Sequence, residues 1–312
     1  MRLLLVLLLV ASLGCIQAEQ KQTCQVAYNP AGVAVTNMQL DYPKIYAGNK
    51  VRLSLEVANL GEETGKDIDL KVTGPEHYFT IPAESVIAKA SMEPPDPNKC
   101  IEGGIKSATV QLESKPGVQA LDGVPIKLKL AYGYKTRAWA DVVVLSEQQW
   151  AVRMQEGFVP KLYQGQTVSP IKIKLGVPAV PVVGNSVFQV QLSLENPAAS
   201  SSGPTSTTDS VTAYIGDLVD PDMVKNVTIT IPDGFEFSES SACTEVSADA
   251  CRIENFKVTK DPDNVREKRV SVKLKDSKLS SLVEESFKID VEADYGYTVF
   301  YNTNPVIIVS GD

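Results

Sequence analysis

Histidine is nearly absent from this chain: His77 is the only one in 312 residues. A Ser-His-Asp or Cys-His nucleophilic set therefore has one place to form, and His77 sits in the polar stretch Gly74-Pro75-Glu76-His77 beside Tyr78 and Phe79, which reads as a loop. No two of the five cysteines form a Cys-x-x-Cys pair, so the spacing of a zinc site is missing as well. No glycine-rich phosphate loop follows a strand and opens a helix, which leaves nucleotide binding without a motif. Basic charge is in deficit: 30 Lys and Arg against 38 Asp and Glu give a net charge of −8 and a pI near 5.0, so nucleic acid is not an expected partner. Beyond Leu13 no apolar run approaches the roughly 20 residues that a membrane-spanning helix needs. Nothing singles out two of the 38 acids as a sugar-hydrolysing pair. The chain is read as non-enzymatic, with no cofactor.

What is present starts at the N-terminus. Arg2 precedes an apolar run from Leu3 to Leu13, the size of a signal-peptide core and too short for a bilayer, which stops at Gly14-Cys15. A small residue directly before a cysteine is what a lipoprotein signal peptidase recognises, leaving Cys15 as a lipid-modified first residue. Ser12 stands where a branched apolar residue is commoner, and an ordinary cut after Ala18 would discard Cys15. Either cut places the mature protein outside the cytoplasm: anchored on the extracellular face of the cell membrane if Cys15 is retained, secreted if it is not.

The same pattern then occurs twice. Gly48-Asn49 followed by Val51-Arg-Leu-Ser-Leu-Glu-Val57 and Asn59 returns as Gly184-Asn185 followed by Val187-Phe-Gln-Val-Gln-Leu-Ser-Leu-Glu195 and Asn196. Lys66-Asp-Ile-Asp-Leu-Lys-Val72 returns as Lys225-Asn-Val-Thr-Ile-Thr-Ile231, and Ile126-Lys-Leu-Lys-Leu-Ala-Tyr132-Gly-Tyr134 as Ile289-Asp-Val-Glu-Ala-Asp-Tyr295-Gly-Tyr297. Each Tyr-Gly-Tyr leads into an apolar strand, Val142 to Leu145 and Val306 to Val309. Four blocks in one order predict a tandem duplication. Within every block apolar and polar residues alternate, the period of a strand with one wet face, and turn residues bound each block. The expected fold is all-β: two tandem antiparallel immunoglobulin-like sandwiches, over 24–145 and 166–312, each able to fold alone. Between them Ser146 and Gln149 form a capping box and Gly157 a stop, predicting a short helix from Glu147 to Glu156 in a 146–165 linker. The Ser/Thr/Pro tract 196–210 is expected to be a disordered loop of the second copy.

With Cys15 set aside, Cys24, Cys100, Cys243 and Cys251 make an even set suited to an oxidising compartment, with three possible pairings. Keeping each bridge inside one copy favours Cys24 with Cys100 and Cys243 with Cys251. Asn226-Val227-Thr228 is an N-glycosylation sequon on a strand whose Val227, Ile229 and Ile231 point inward, so Asn226 faces solvent. Acidic clusters at Asp217/Asp220/Asp222 and Asp261/Asp263/Asn264 offer oxygen ligands to calcium without the spacing of a calcium loop. Tyr132 and Tyr134, with Trp139 behind them, and Tyr295 and Tyr297, with Tyr301, are candidate recognition anchors. Both copies carry the motif at the same place, however, which favours a structural role in shaping a hairpin or its corner at the end of a strand.

The leader ending in Gly14-Cys15-Ile16-Gln17, with Val51-Arg-Leu-Ser-Leu-Glu-Val-Ala-Asn59-Leu-Gly61 after Tyr46-Ala-Gly48, resembles archaeal and other prokaryotic surface lipoproteins. Those proteins carry tandem immunoglobulin-like modules of the adhesion-related, CARDB type. The second copy departs from the pattern at Asn196-Pro197. The resemblance implies a fold and an address, and it brings no catalytic residue. The resulting expectation is a lipid-anchored surface protein with an envelope structural, adhesive or assembly role. Its expected partners are the membrane, through the N-terminal lipid, and envelope proteins or glycans. The alternative is an extracellular carbohydrate-binding or carbohydrate-processing protein.

Overall fold

Alternating burial runs along almost every segment, and the described residues are accordingly about 60% strand and 5% helix. The computed structural model describes residues 28–74, 76–158, 161–197, 206–208, 211–220, 222–239, 241–260, 266–279, 282–303 and 306–310. The signal segment, Cys15, Cys24 and the Asp261/Asp263/Asn264 cluster lie outside them.

The first half supplies β1 (Val33–Leu40), β2 (Lys44–Tyr46), β3 (Lys50–Asn59), β4 (Gly65–Gly74), β5 (Phe79–Thr80), β6 (Ile87–Met92), β7 (Ile105–Ser114), β8 (Leu121–Val124) and β9 (Lys127–Leu145). Helix α1 (Glu147–Gln155) and β10 (Gln164–Gln166) follow. The second half supplies β11 (Lys172–Gly176), β12 (Val182–Val183), β13 (Phe188–Glu195), β14 (Ser206–Thr208), β15 (Val211–Leu218), β16 (Met223–Thr230), β17 (Phe235–Glu239), β18 (Glu245–Val246), β19 (Ala250–Lys257), β20 (Lys268–Leu274), α2 (Asp276–Leu279), β21 (Glu284–Thr303) and β22 (Val306–Val309).

Each half contributes a four-stranded antiparallel sheet of the same order, β1-β3-β7-β5 and β11-β13-β20-β17. Both face one large sheet that the halves build jointly, β18-β19-β16-β21-β9-β4-β6. Inward residues such as Leu53, Leu55, Leu128 and Leu130 from the first half and Val190, Leu192, Ile229 and Val291 from the second belong to one continuous core.

Helix α1 is capped as its sequence predicts: Ser146 Oγ accepts the Gln149 N–H at 3.2 Å, and Gly157 follows at φ 68°. None of its residues is fully buried, however, and the helix is not the principal joint. That joint is the pairing of β21 with β9, antiparallel and in unbroken register from Glu284↔Leu145 to Asn302↔Lys127, along all 19 residues of β9. The terminal strands are exchanged as well. β22, from the second half, lies between β2 and β8 of the first, and β12 of the second half pairs in parallel with the end of β9. The two halves thus meet edge to edge, each long strand using the other half as its neighbour.

Two local expectations also change. The Tyr-Gly-Tyr segments end no strand: alternation continues through Gly133 and Gly296, so Trp139 and Tyr301 lie further along the same strands. The tract 196–210 is not uniformly loop. Asn196 is buried, and Ser206–Thr208 forms β14 against β15; 198–205 and 209–210 lie outside the described residues.

Candidate site on the outer face of the shared sheet

Strand parity on β9 and β21 decides which side chains can meet a partner. Tyr132 stands opposite Tyr297, Gly133 opposite Gly296 and Tyr134 opposite Tyr295, so the two Tyr-Gly-Tyr segments face each other about the glycine pair. All four tyrosines point into the core, none more than 5% exposed, with ring centroids 5.9 to 6.5 Å apart. Their hydroxyls are satisfied. Tyr132 donates to the Ala31 carbonyl, Tyr134 accepts the Glu63 N–H at 3.1 Å, and Tyr297 donates to Asn196 Oδ1 at 3.2 Å. Tyr295 shares a 2.8 Å bond with Thr136 Oγ1 and accepts the Ile171 N–H. Burial pushes all four hydroxyls above the ordinary tyrosine pKa. The reading of Tyr132, Tyr134, Tyr295 and Tyr297 as recognition anchors is therefore corrected: rings with buried faces and bonded hydroxyls form the seam between the halves.

Trp139 has the opposite parity and is half-buried on the outer face, with Lys288 Nζ 5.5 Å from its ring centroid. Around it the outward residues of β9 and β21 form a lattice of opposite charges. Lys135 pairs with Glu292 and lies 3.7 Å from Asp294, while Arg137 Nε lies 3.2 Å from Glu292 and 3.4 Å from Glu63. Burial raises the Glu63 carboxyl pKa, and the neighbouring Arg137 and Lys135 only partly offset it. Two recesses open here. One, of about 430 Å³, straddles Gly133 and Gly296, where bare backbone leaves room between Lys66 and Lys225. The other, of about 550 Å³, is bounded by Arg137, Trp139, Thr228, Thr230, Lys288 and Asp290.

Asn226 lines the first recess from β16, half-exposed, its Oδ1 accepting from Arg252 Nη2 at 2.8 Å. Two members of the acidic cluster, Asp217 and Asp222, hold a cation that the chain itself supplies, with Lys260 Nζ 2.8 Å from Asp217 and 2.7 Å from Asp222. His77 is exposed in a turn beside Tyr78. Cys243 and Cys251 form a disulfide with Cα atoms 5.6 Å apart. Cys100 is disulfide-bonded, and Cys24, its expected partner, lies outside the described residues. Among the described residues no helix is long and apolar enough to cross a membrane.

Of the residues proposed from sequence, the site keeps Trp139 and Asn226. It adds Arg137, Lys288 and Glu292, whose only signal in the sequence is their outward parity on strands that face each other across the two halves, and Glu63, from the bend between β3 and β4. The charge lattice and the half-exposed ring can hold a polar, extended partner through ion pairs and stacking. No family model matches the sequence, and no curated protein matches it. Among solved structures the chain is similar to collagen adhesin (CNA) from S. aureus, at 10% identity and a TM-score of 0.16, covering 92% of this chain and 95% of that one. It is similar also to the collagen binding domain of Erysipelothrix rhusiopathiae surface protein RspB, at 9% identity and a TM-score of 0.13, covering 91% and 96%. Superpositions at that level carry no argument about what this chain does.

Proposed function

We propose that this is a non-enzymatic, lipid-anchored surface protein that acts in envelope structure, adhesion or assembly through the outer face of its shared sheet. The observation that carries the reading is that β9 and β21 join the halves into one continuous face, with Trp139 and the Lys135/Arg137/Glu292 lattice at its centre. A surface built across a 19-residue strand pair holds its groups in fixed relation, which lowers the ordering cost of binding. The leader ending at Cys15 and the Cys243–Cys251 bridge fit an oxidising, extracellular address. The test is capture from intact envelopes with the mature ectodomain, Arg137→Glu/Trp139→Ala serving as the variant. A specific envelope component retained by the wild type and lost by the variant is expected; equal retention by both sinks the reading. Intact-mass measurement tests the anchor: a mature N-terminus at Glu19 without lipid mass removes it.

A carbohydrate-binding role is favoured by one feature, the half-exposed Trp139 ring beside Thr228, Thr230 and Asp290. A glycan screen in which signal disappears with Trp139→Ala and survives Tyr132→Phe is the expected pattern for it.

A further inference from the structure

On the first-half side of the Gly133–Gly296 pair the outer face changes character. β4 places Lys71 directly opposite Lys129 of β9, and Lys127 lies two residues along on the same face. On its other side Lys129 is opposite Phe300 of β21. All three lysines are exposed, and so is Phe300, at 43%. Lys66 extends the row toward the recess. Lys71 reaches only its own-strand neighbour Asp69, at 3.5 Å, and among the described residues no ion pair involves Lys66, Lys127 or Lys129.

Like charges directly opposite on neighbouring strands destabilise a sheet. This chain carries 38 acids and a net charge of −8, yet only Asp67 and Asp69 stand in this row, while β21 places Asp290, Glu292 and Asp294 on the far side of the glycine pair. A sheet that leaves Lys127 and Lys129 without an ion pair beside an exposed ring, and sets Lys71 opposite Lys129 with only Asp69 near it, gathers positive charge in a way that folding does not require. Exposed lysines on one strand repeat about every 7 Å. They act as point charges without the bidentate geometry of arginine, which suits anionic groups recurring along a flexible chain. The ring of Phe300 offers an apolar plate for a sugar ring between those groups.

We infer that the row Lys71, Lys127, Lys129 and Phe300 binds an acidic polysaccharide, one bearing carboxylate or sulfate groups. A linear polymer can follow the basic row alone. An anionic bilayer would lie across the whole face, and beyond the glycine pair Lys135, Arg137 and Lys288 are already paired with Glu292, Asp294 and Asp290 and offer it no free cation. The site goes beyond the contact role proposed above and does not use the Trp139 recess.

The test uses the mature chain on immobilised polygalacturonate and chondroitin sulfate, which separate carboxylate from sulfate, with dextran as the neutral control and phosphatidylglycerol vesicles as the lipid arm. Binding to at least one acidic polymer and none to dextran is expected. Lys127→Ala/Lys129→Ala should weaken it roughly 5- to 30-fold, and the slope of affinity against salt should fall by about two. Lys127→Arg/Lys129→Arg should restore most of the affinity, and Phe300→Ala should cost roughly fivefold. Trp139→Ala should change nothing, and thermal melts should show all variants folded. Undiminished binding by the double alanine variant, absence of binding to both polymers, or equal binding to the vesicles overturns the inference. Envelope capture that survives Lys127→Ala/Lys129→Ala while the polymers fail to bind would overturn this site alone and leave the contact role standing.

Discussion

Asn59 and Asn196 show what a single residue contributes here. Each is buried where a strand leaves its four-stranded sheet. Asn59 Nδ2 donates to the Glu63 and Met92 carbonyls, and its Oδ1 accepts the Gly61 N–H. Asn196 instead accepts from the Tyr297 hydroxyl. The glycines next to these tyrosines are required by space: a Cβ on Gly61 would lie 2.0 Å from the Tyr134 hydroxyl, and one on Gly216 2.4 Å from that of Tyr297. Gly61→Ala and Gly216→Ala are each expected to cost roughly 1–3 kcal/mol in urea unfolding, since the atom met is the fixed end of a buried ring. The tyrosines also set a pH limit. Their folded pKa values lie above the unfolded value near 10, so the stability that their protonation supplies is complete below that value and is lost as pH rises past it. The part of the tyrosinate absorbance that these four hydroxyls supply should therefore rise in step with alkaline unfolding rather than ahead of it. Glu63 works in the same direction at lower pH. Its raised pKa makes the folded state the better proton binder, so stability falls as pH rises through the carboxylate range. Glu63→Gln should be neutral at pH 4 and stabilising by about 1 kcal/mol or less at pH 7.

At the scale of strands, the exchange of terminal elements makes the ends of the chain matter to the wrong half. Removing residues 304–312 deletes β22 from the second half, but it leaves β2 and β8 of the first half without the strand between them. Hydrogen exchange should show protection lost in β2 and β8 while β13 and β20 stay protected. A chain ending at Leu145 presents β9 with its neighbour gone along 19 residues. It is expected to run as a dimer in light scattering, one β9 replacing β21 for the other with Gly133 at the centre; a folded monomer would contradict this. Strands themselves were legible, because alternation at positions such as Leu53/Leu55/Val57 and Val227/Ile229/Ile231 needs no knowledge of the partner strand. Their pairing was not. Tyr-Gly-Tyr reads as a corner because glycine tolerates turns, and only the opposition of Gly133 to Gly296 explains why neither strand bends there.

For the molecule as a whole, one core and one shared sheet predict one cooperative unfolding transition in calorimetry, where two independent modules would give two. Reducing the Cys243–Cys251 bridge, which closes a short loop, should lower that single transition by an amount corresponding to about 2–3 kcal/mol rather than split it. The all-β class and the repeated strand order could be read from spacing and alternation. The outer-face site could not, because its parts come from β4, β9 and β21 and meet only once the halves pair. Lys71, Lys129 and Phe300 are unremarkable strand residues until register sets them side by side.

The place of β22 also sets the order of events in time. β2 has no neighbour in its small sheet until Val306–Val309 has been made, and the Val35 N–H meets the Tyr301 hydroxyl across 266 residues of sequence. Contacts so distant cannot form while a chain is emerging, and closing them is slow even for a complete one. A first half that emerges ahead of its partner would hold β9 as an open, adhesive edge throughout that interval. The same register that makes the finished face rigid thus makes the unfinished chain vulnerable, and refolding yield should fall steeply with concentration before β21 docks.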